Sequence, residues 1–154
     1  MIEKNLKNII SDKSTELGFD KIGFANPKED IDSNQYFDQW IKSKHHGTMK
    51  WMESRKKERT DIFNYFPEVK TVISLAFNYF TRRSSEFSKD YNSEVKFSNY
   101  AWGDDYHKII KNKLHDIKNE ILKHDPSIKI ILCVDTAPVM EKQWAQKAGI
   151  GWQG

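Results

Sequence analysis

A chain of 154 residues with 38% hydrophobic and 31% charged side chains is long enough for one core and too apolar for a disordered segment. Its formal charge of +3, from 25 basic and 22 acidic residues, is mildly basic and says little about partners by itself. No apolar run approaches the roughly 20 residues of a membrane helix, and the acidic, helix-patterned start is not a secretory signal, so a cytoplasmic protein with no membrane partner is expected.

Residues 4–17 read as an amphipathic helix with Leu6, Ile9, Ile10 and Leu17 on one side, and Gly18 suits its C-terminus. Lys21 to Ala25 is a short strand, ended by Asn26-Pro27. A second helix over 34–43 is predicted to turn Tyr36, Phe37, Trp40 and Ile41 inward, before His46-Gly47-Thr48 breaks the pattern and a short helix carries Trp51 and Met52. The β-branched, apolar run from Lys70 to Tyr79 predicts a buried strand. Residues 81–94 are polar and aperiodic, as a mobile loop would be. The longest helix is expected from Asp104 to about His124, with Tyr106, Ile110, Leu114, Ile117 and Ile121 at three- and four-residue steps, stopped by Asp125-Pro126. Ile128 to Val134 predicts another buried strand. Pro138 then opens a helix that Gly149 closes. Strands and helices interleave, which predicts a mixed α/β layer. No repeat or low-complexity tract is present. The chain stops at Gly154 directly after a helix and within a glycine-bearing segment, which predicts a truncation rather than a domain end.

Few motifs carry chemistry on their own. Gly149-Ile-Gly-Trp-Gln-Gly154 fits G-x-G-x-x-G, but the dinucleotide fingerprint needs a strand before it and a helix after it. His45, His46 and His107 make no metal spacing, and no metal site is expected. Cys133 is the single cysteine, so it can form neither an internal disulfide nor a zinc or iron–sulfur site alone; within an apolar run it reads as a small buried hydrophobe. Seven basic residues between Lys42 and Arg59, against Glu53 and Glu58, form either a phosphate-binding patch or an ordinary solvated face. Asp135 directly follows the apolar run ending in Val134, where ligands meet α/β sheets. Partial desolvation there would raise its pKa and suit it to be a general acid; the other reading is an aspartate that hydrogen-bonds its own turn. In Tyr100-Ala-Trp-Gly-Asp-Asp-Tyr-His107, Asp104 or Asp105 could cap the long helix, and Trp102 and Tyr106 could stack on a planar ligand or pack in the core.

Taken together, Leu17-Gly-Phe-Asp-Lys-Ile-Gly-Phe24, His46-Gly-Thr-Met-Lys-Trp-Met52, Arg59-Thr-Asp61, Phe66-Pro-Glu-Val-Lys-Thr-Val-Ile73, the 100–107 segment, Val134-Asp-Thr-Ala-Pro-Val-Met-Glu141 and Ala148-Gly-Ile-Gly-Trp152 resemble, in order, segments of epoxyqueuosine reductases. The resemblance implies an α/β (α+β) fold, a mixed β-sheet layered with helices. It implies that residues 1–154 form a truncated N-terminal cobalamin-binding domain, related to corrinoid reductive dehalogenases and lacking the ferredoxin-like 4Fe-4S domain. It implies reduction of epoxyqueuosine to queuosine in tRNA, with cobalamin and two 4Fe-4S clusters as cofactors, and as partners an electron donor and tRNA carrying epoxyqueuosine at the wobble position. Asp135 matches the family's proton donor, and its position also faces the cofactor. Arg59 and Ser98 match corrinoid-contacting positions, and Tyr106 and His107 fall in a motif near the expected pocket. In that context Lys108, Lys111 and the basic stretch 42–59 would hold the tRNA backbone.

The sequence departs from the family at Lys142, where some members have arginine, which keeps the charge but not the planar fork. The cluster-binding cysteines are absent, so the chain alone is expected to be inactive. Two other readings stay open: another corrinoid or iron–sulfur reductase, and a non-catalytic corrinoid- or tRNA-binding module.

Overall fold

The computed structural model describes residues 4–27, 31–80 and 97–152. The sequence-predicted mobile loop at 81–94 lies outside them. Helix α1, Lys4–Glu16, is closed by Gly18 at φ 82°, a conformation that costs glycine nothing. There the Gly18 N–H donates to the Thr15 carbonyl at 2.9 Å and the Phe19 N–H to the Ser14 carbonyl at 3.0 Å. The bonds satisfy two carbonyls that the helix leaves over and turn Phe19 into the core.

Strand β1, Lys21–Ala25, pairs antiparallel with β2, Val72–Ala76, with Ile22 opposite Leu75 and Phe24 opposite Ile73. Asp20 lengthens the pairing: its N–H donates to the Ala76 carbonyl at 2.9 Å, and its Oδ2 accepts the Asn78 N–H at 2.7 Å. Because side chains alternate along a strand, the four large residues share one face. They pack on the cluster of Ile10, Phe19, Ile117 and Ile121, contributed by α1, by the turn after it, and by α6, Tyr106–His124. The small residues Gly23, Ala25, Ser74 and Ala76 fall on the other face. Against that face lies α7, Glu141–Lys147. The approach is so close that a Cβ on Gly23 would sit 2.2 Å from the Ala148 carbonyl oxygen.

Helix α2, Ile31–Lys42, buries Phe37 and Ile41, which are one turn apart. Tyr36, predicted to face inward, is 72% exposed, because it sits about 100° round the helix from Phe37. Lys44 adopts φ 57° and ends α2 with the bonding pattern of Gly18: Lys44 N–H to the Ile41 carbonyl at 2.9 Å and His45 N–H to the Trp40 carbonyl at 3.1 Å. Three short helices follow: α3, Lys50–Ser54; α4, Lys56–Thr60; and α5, Ile62–Tyr65. Asp61 caps α5 by accepting the Phe63 N–H at 2.9 Å. The short helix expected from Met49 to about Ser54 is α3, which starts one residue later; α4 and α5 had no periodicity by which to foresee them.

Helix α6 begins two residues after the predicted start at Asp104 and ends at His124 as expected. Asp105 is its cap, accepting the His107 N–H at 3.0 Å. Its inner face carries Ile117 and Ile121. Lys113 reaches back from α6 to donate to the Leu17 carbonyl at the end of α1, with Nζ 5.2 Å from the centre of the Phe77 ring.

The predicted strand at 128–134 does not form: 128–133 makes no ladder, and the sheet among the described residues is the β1–β2 pair. The segment still alternates, with Ile128 and Ile130 packed on the core cluster and Lys129 and Ile131 exposed. Its apolar pattern is satisfied by packing, without a partner's N–H and C=O groups. The helix predicted from Pro138 starts three residues later, because residues 134–139 are taken up by bends. The observed architecture is therefore a mixed α/β arrangement, with a small antiparallel sheet between helices. No helix among the described residues is long and apolar enough to cross a membrane.

Candidate functional site

The bends at 134–139 centre on Asp135. Its φ is 55°, a region that non-glycine residues rarely occupy. The Thr136 N–H donates to the Val134 carbonyl at 2.6 Å, so Asp135 is the middle of a γ-turn of the strained, positive-φ kind. The Asp135 N–H, turned away from any strand partner, donates to Glu141 Oε1 at 2.8 Å. Glu141 stands at the start of α7, and burial pushes its carboxyl pKa up while the Asp135 N–H pulls it back.

This turn aims the Asp135 side chain at the first turn of α6. The Tyr106 hydroxyl donates to Asp135 Oδ2. His107 stacks on Tyr106 with ring centres 4.1 Å apart, places Nε2 4.0 Å from the same Oδ2, and meets Asp105 Oδ1 through Nδ1 at 2.9 Å. The bond to Asp135 pushes the Tyr106 phenol up to a pKa of about 12. The contact with His107 holds Asp105 below the usual carboxylate range. Edge-to-face contacts continue the ring series from Tyr106 to Tyr100 at 6.0 Å and from Tyr100 to Tyr79 at 6.2 Å.

Of the residues singled out in the sequence, Asp135, Tyr106 and His107 come together. The Asp135 side chain is 57% exposed; the strand end that was to half-bury it is a turn, so the expected desolvation is not supplied by the described residues. Ser98 precedes the 3₁₀ turn Asn99–Ala101, and its carbonyl accepts the Ala101 N–H at 3.0 Å, which sets Tyr100 against Tyr106. Arg59, in α4, shows no contact with this group, but its Nε is buried and finds no acceptor among the described residues; desolvation lowers its pKa. Cys133 lies against Tyr65, and burial raises its thiol to a pKa of about 11, so it stays protonated and inert near neutrality. Two participants were missed, Glu141 and Tyr100, although each lies in a segment already singled out. Neither is marked by local spacing, since each reaches Asp135 or Tyr106 through the turn geometry. No group of three or more histidine, cysteine, aspartate or glutamate side chains that could hold a metal occurs among the described residues.

The basic stretch is partly neutralised. Lys56 pairs with Asp38 at 2.8 Å and Arg55 with Glu58 at 2.9 Å. An open cleft of about 610 Å³ over α3–α5 is lined by Lys56, Lys57 and Asn64 together with Glu53 and Glu58, a mixed lining that does not include the Asp135 group.

Residues 59–136, half of the chain, match the family described as Epoxyqueuosine reductase QueG, DUF1730. Among curated relatives, an epoxyqueuosine reductase of Prochlorococcus marinus (strain NATL2A) is 35% identical over 153 residues, covering 97% of this chain and 47% of the relative. One of Atelocyanobacterium thalassa (isolate ALOHA) is 37% identical over 145 residues, covering 93% and 45%. The solved epoxyqueuosine reductase of Streptococcus thermophilus superimposes with a TM-score of 0.74 at 24% identity, over 96% of this chain and 40% of that one, a likeness of fold. An epoxyqueuosine reductase crystallised with an epoxyqueuosine-modified tRNA-Tyr stem loop gives 0.75 at 25% identity, over 96% and 39%. The chain spans about half the length of the curated relatives it matches.

Proposed function

The chain belongs to the family described as Epoxyqueuosine reductase QueG, DUF1730, and from that premise we propose that it forms the N-terminal, cobalamin-binding part of an enzyme that reduces epoxyqueuosine to queuosine in tRNA. Asp135 delivers a proton to the departing epoxide oxygen. The observation that carries this reading is the meeting of Asp135, Tyr106 and His107, from two distant stretches of chain, at one accessible point. Removing the oxygen as water consumes two electrons and two protons and leaves a carbon–carbon double bond. The oxygen gathers negative charge as its bonds to carbon break, and a carboxyl group within reach can protonate it. The exposure of Asp135 lets a bulky tRNA base approach and lets solvent return the proton.

Cobalamin, when bound, would supply the electrons that break the C–O bonds. The residues present fit it. Arg59 has a buried Nε in want of an acceptor, and a corrin rimmed with amide side chains offers carbonyl oxygens. Ser98, before the 3₁₀ turn that carries Tyr100, and Tyr106 and His107, beside Asp135, would contribute further contacts. The cofactor would also shield Asp135, supplying the desolvation that the described residues do not. With Cys133 as its single cysteine, this stretch cannot ligate a 4Fe-4S cluster by itself; the two clusters of the proposed enzyme would be held by other residues, and an electron donor would feed them. The relative solved with a modified stem loop supports a tRNA partner here, held through the basic residues of 42–59 that are not tied up in ion pairs. Such an enzyme works in the cytoplasm.

The test is Asp135→Asn in the complete gene product, assayed on epoxyqueuosine-containing tRNA by nucleoside mass spectrometry. Turnover should fall by roughly a hundredfold or more, the usual worth of a general acid, with the corrinoid absorption spectrum retained. Undiminished turnover would remove Asp135 from the reaction.

A further inference from the structure

The Glu141 side chain is tied to the backbone of the candidate proton donor, not to the donor's carboxyl group. Its Oε1 accepts the Asp135 N–H at 2.8 Å, and Asp135 is held at φ 55° inside a turn closed by the Thr136 N–H on the Val134 carbonyl. A non-glycine residue stays in that region only when its surroundings impose it. Released from the Glu141 acceptor, the Asp135 N–H would have to find water or a new partner. The relaxed backbone at φ < 0 would then swing Cβ, and with it the carboxyl group, away from the Tyr106 hydroxyl. We propose that Glu141 is a positioning residue, whose side-chain oxygen locks the Asp135 turn and so aims the Asp135 carboxyl group at Tyr106 and at the reacting substrate. This rests on the reading of Asp135 as the proton donor.

Three features of the site suit Glu141 to the task. It is at the first residue of α7, so its backbone is fixed by the helix while its side chain bends back over the preceding turn. Most of the side chain is shielded from water, so the bond is not in open competition with solvent. Finally, α7 is braced against the sheet through Ala148 and Gly23, which gives the acceptor a fixed base. The lock needs an oxygen acceptor, not a negative charge, because a neutral carboxyl or carboxamide oxygen also accepts from an N–H.

That distinction supplies the experiment. Glu141→Gln keeps the acceptor and loses the charge, and Glu141→Ala loses both; Glu141→Met, closer in volume, replaces the alanine variant if that one fails to fold. The first readout needs no cofactor or turnover: the Tyr106 phenol, followed by ¹³Cζ-tyrosine NMR in the cofactor-free protein and assigned with Tyr106→Phe. In the wild type and Glu141→Gln it should titrate near the native pKa of about 12. In Glu141→Ala it should fall back toward the ordinary tyrosine value as the Asp135 bond is lost. The second readout is turnover in the complete gene product, where Glu141→Ala should lose roughly tenfold or more in kcat with little change in KM, and Glu141→Gln should stay within about threefold of wild type. An unshifted Tyr106 titration in Glu141→Ala, or equal losses in the Gln and Ala variants, would overturn the proposal. Full activity of Asp135→Asn beside a shifted Tyr106 titration in Glu141→Ala would instead sink the Asp135 reading while leaving the lock in place.

Discussion

The Tyr106 hydroxyl and Asp135 Oδ2, 29 positions apart in the sequence, share a hydrogen bond in which the phenol is the donor. Tyr106 leads α6 and Asp135 sits in the turn that follows Val134, so the bond joins the two ends of the segment that runs out along α6 and back. Because the phenol keeps its proton to donate, its pKa is raised to about 12.

Tyr106→Phe should therefore lose a contribution that depends on pH. A raised phenol pKa means that the native state favours the neutral form, so the benefit is complete below the ordinary tyrosine pKa and disappears as pH climbs toward about 12. Denaturant unfolding at pH 8 should find the wild type more stable than Tyr106→Phe, with the difference shrinking steadily between pH 10 and 12. A pH-independent difference would mean that the ring's packing, not its hydroxyl, sets the effect.

The sign is the same for Glu141 but the pH window is acidic. Burial raises its carboxyl pKa above the ordinary glutamate range, so the ionised form strains the native state at neutral pH, and protonation relieves the strain as pH falls through the raised value. Glu141→Gln should melt a little higher than wild type at pH 7 and at the same temperature below pH 4. Calorimetric scans at the two pH values distinguish this from a variant destabilised at both.

Cys133 should resist alkylation. With its thiol pKa near 11 and its side chain packed by Tyr65, very little thiolate exists at pH 8, and reagents need the thiolate. Iodoacetamide labelling of the folded protein, followed by mass spectrometry, should be at least about tenfold slower than in urea; equal rates would show that the turn before Asp135 opens freely.

Much of this was legible beforehand. The helices at 4–16 and 106–124 declared themselves through apolar residues at three- and four-residue steps and through Gly18, Asp105 and Asp125 at their ends. The strands at 21–25 and 72–76 were marked by composition. Ile128–Val134 was misread because β-branched alternation records a half-buried extended surface, which this segment has, and says nothing about whether a hydrogen-bonding partner lies beside it. Tyr36 was misread because it lies at the edge of the apolar arc, about 140° round the helix from Ile41, while burial centres on Phe37 and Ile41. At the site, Asp135 stood out by its place after an apolar run. Glu141 did not, since a six-residue separation means nothing until a positive-φ turn brings the two together.

The charged stretch between Lys42 and Arg59 separates into residues with and without ion-pair partners, which predicts unequal effects on tRNA. Lys57 makes no ion pair among the described residues, whereas Lys56 is held by Asp38 at 2.8 Å. Lys57→Glu should weaken binding of an anticodon stem loop and reduce the slope of log K against log salt by about one. Lys56→Glu should do less to the slope and more to the melting temperature, because it also leaves Asp38 facing a like charge. Filter binding across a salt series separates the two, and unchanged slopes in both would place the phosphates on another face.

Gly23 gives the sheet a bare spot where the backbone after α7 comes to rest, and a side chain there would strike the Ala148 carbonyl oxygen at 2.2 Å. Even a single methyl group would act as a wedge under the far end of α7 and tilt the rod whose other end carries Glu141. A lesion near the start of the chain would then register as a mis-aimed carboxyl group at Asp135, so a variant at position 23 that kept its fold could pass for a chemical defect while being a mechanical one.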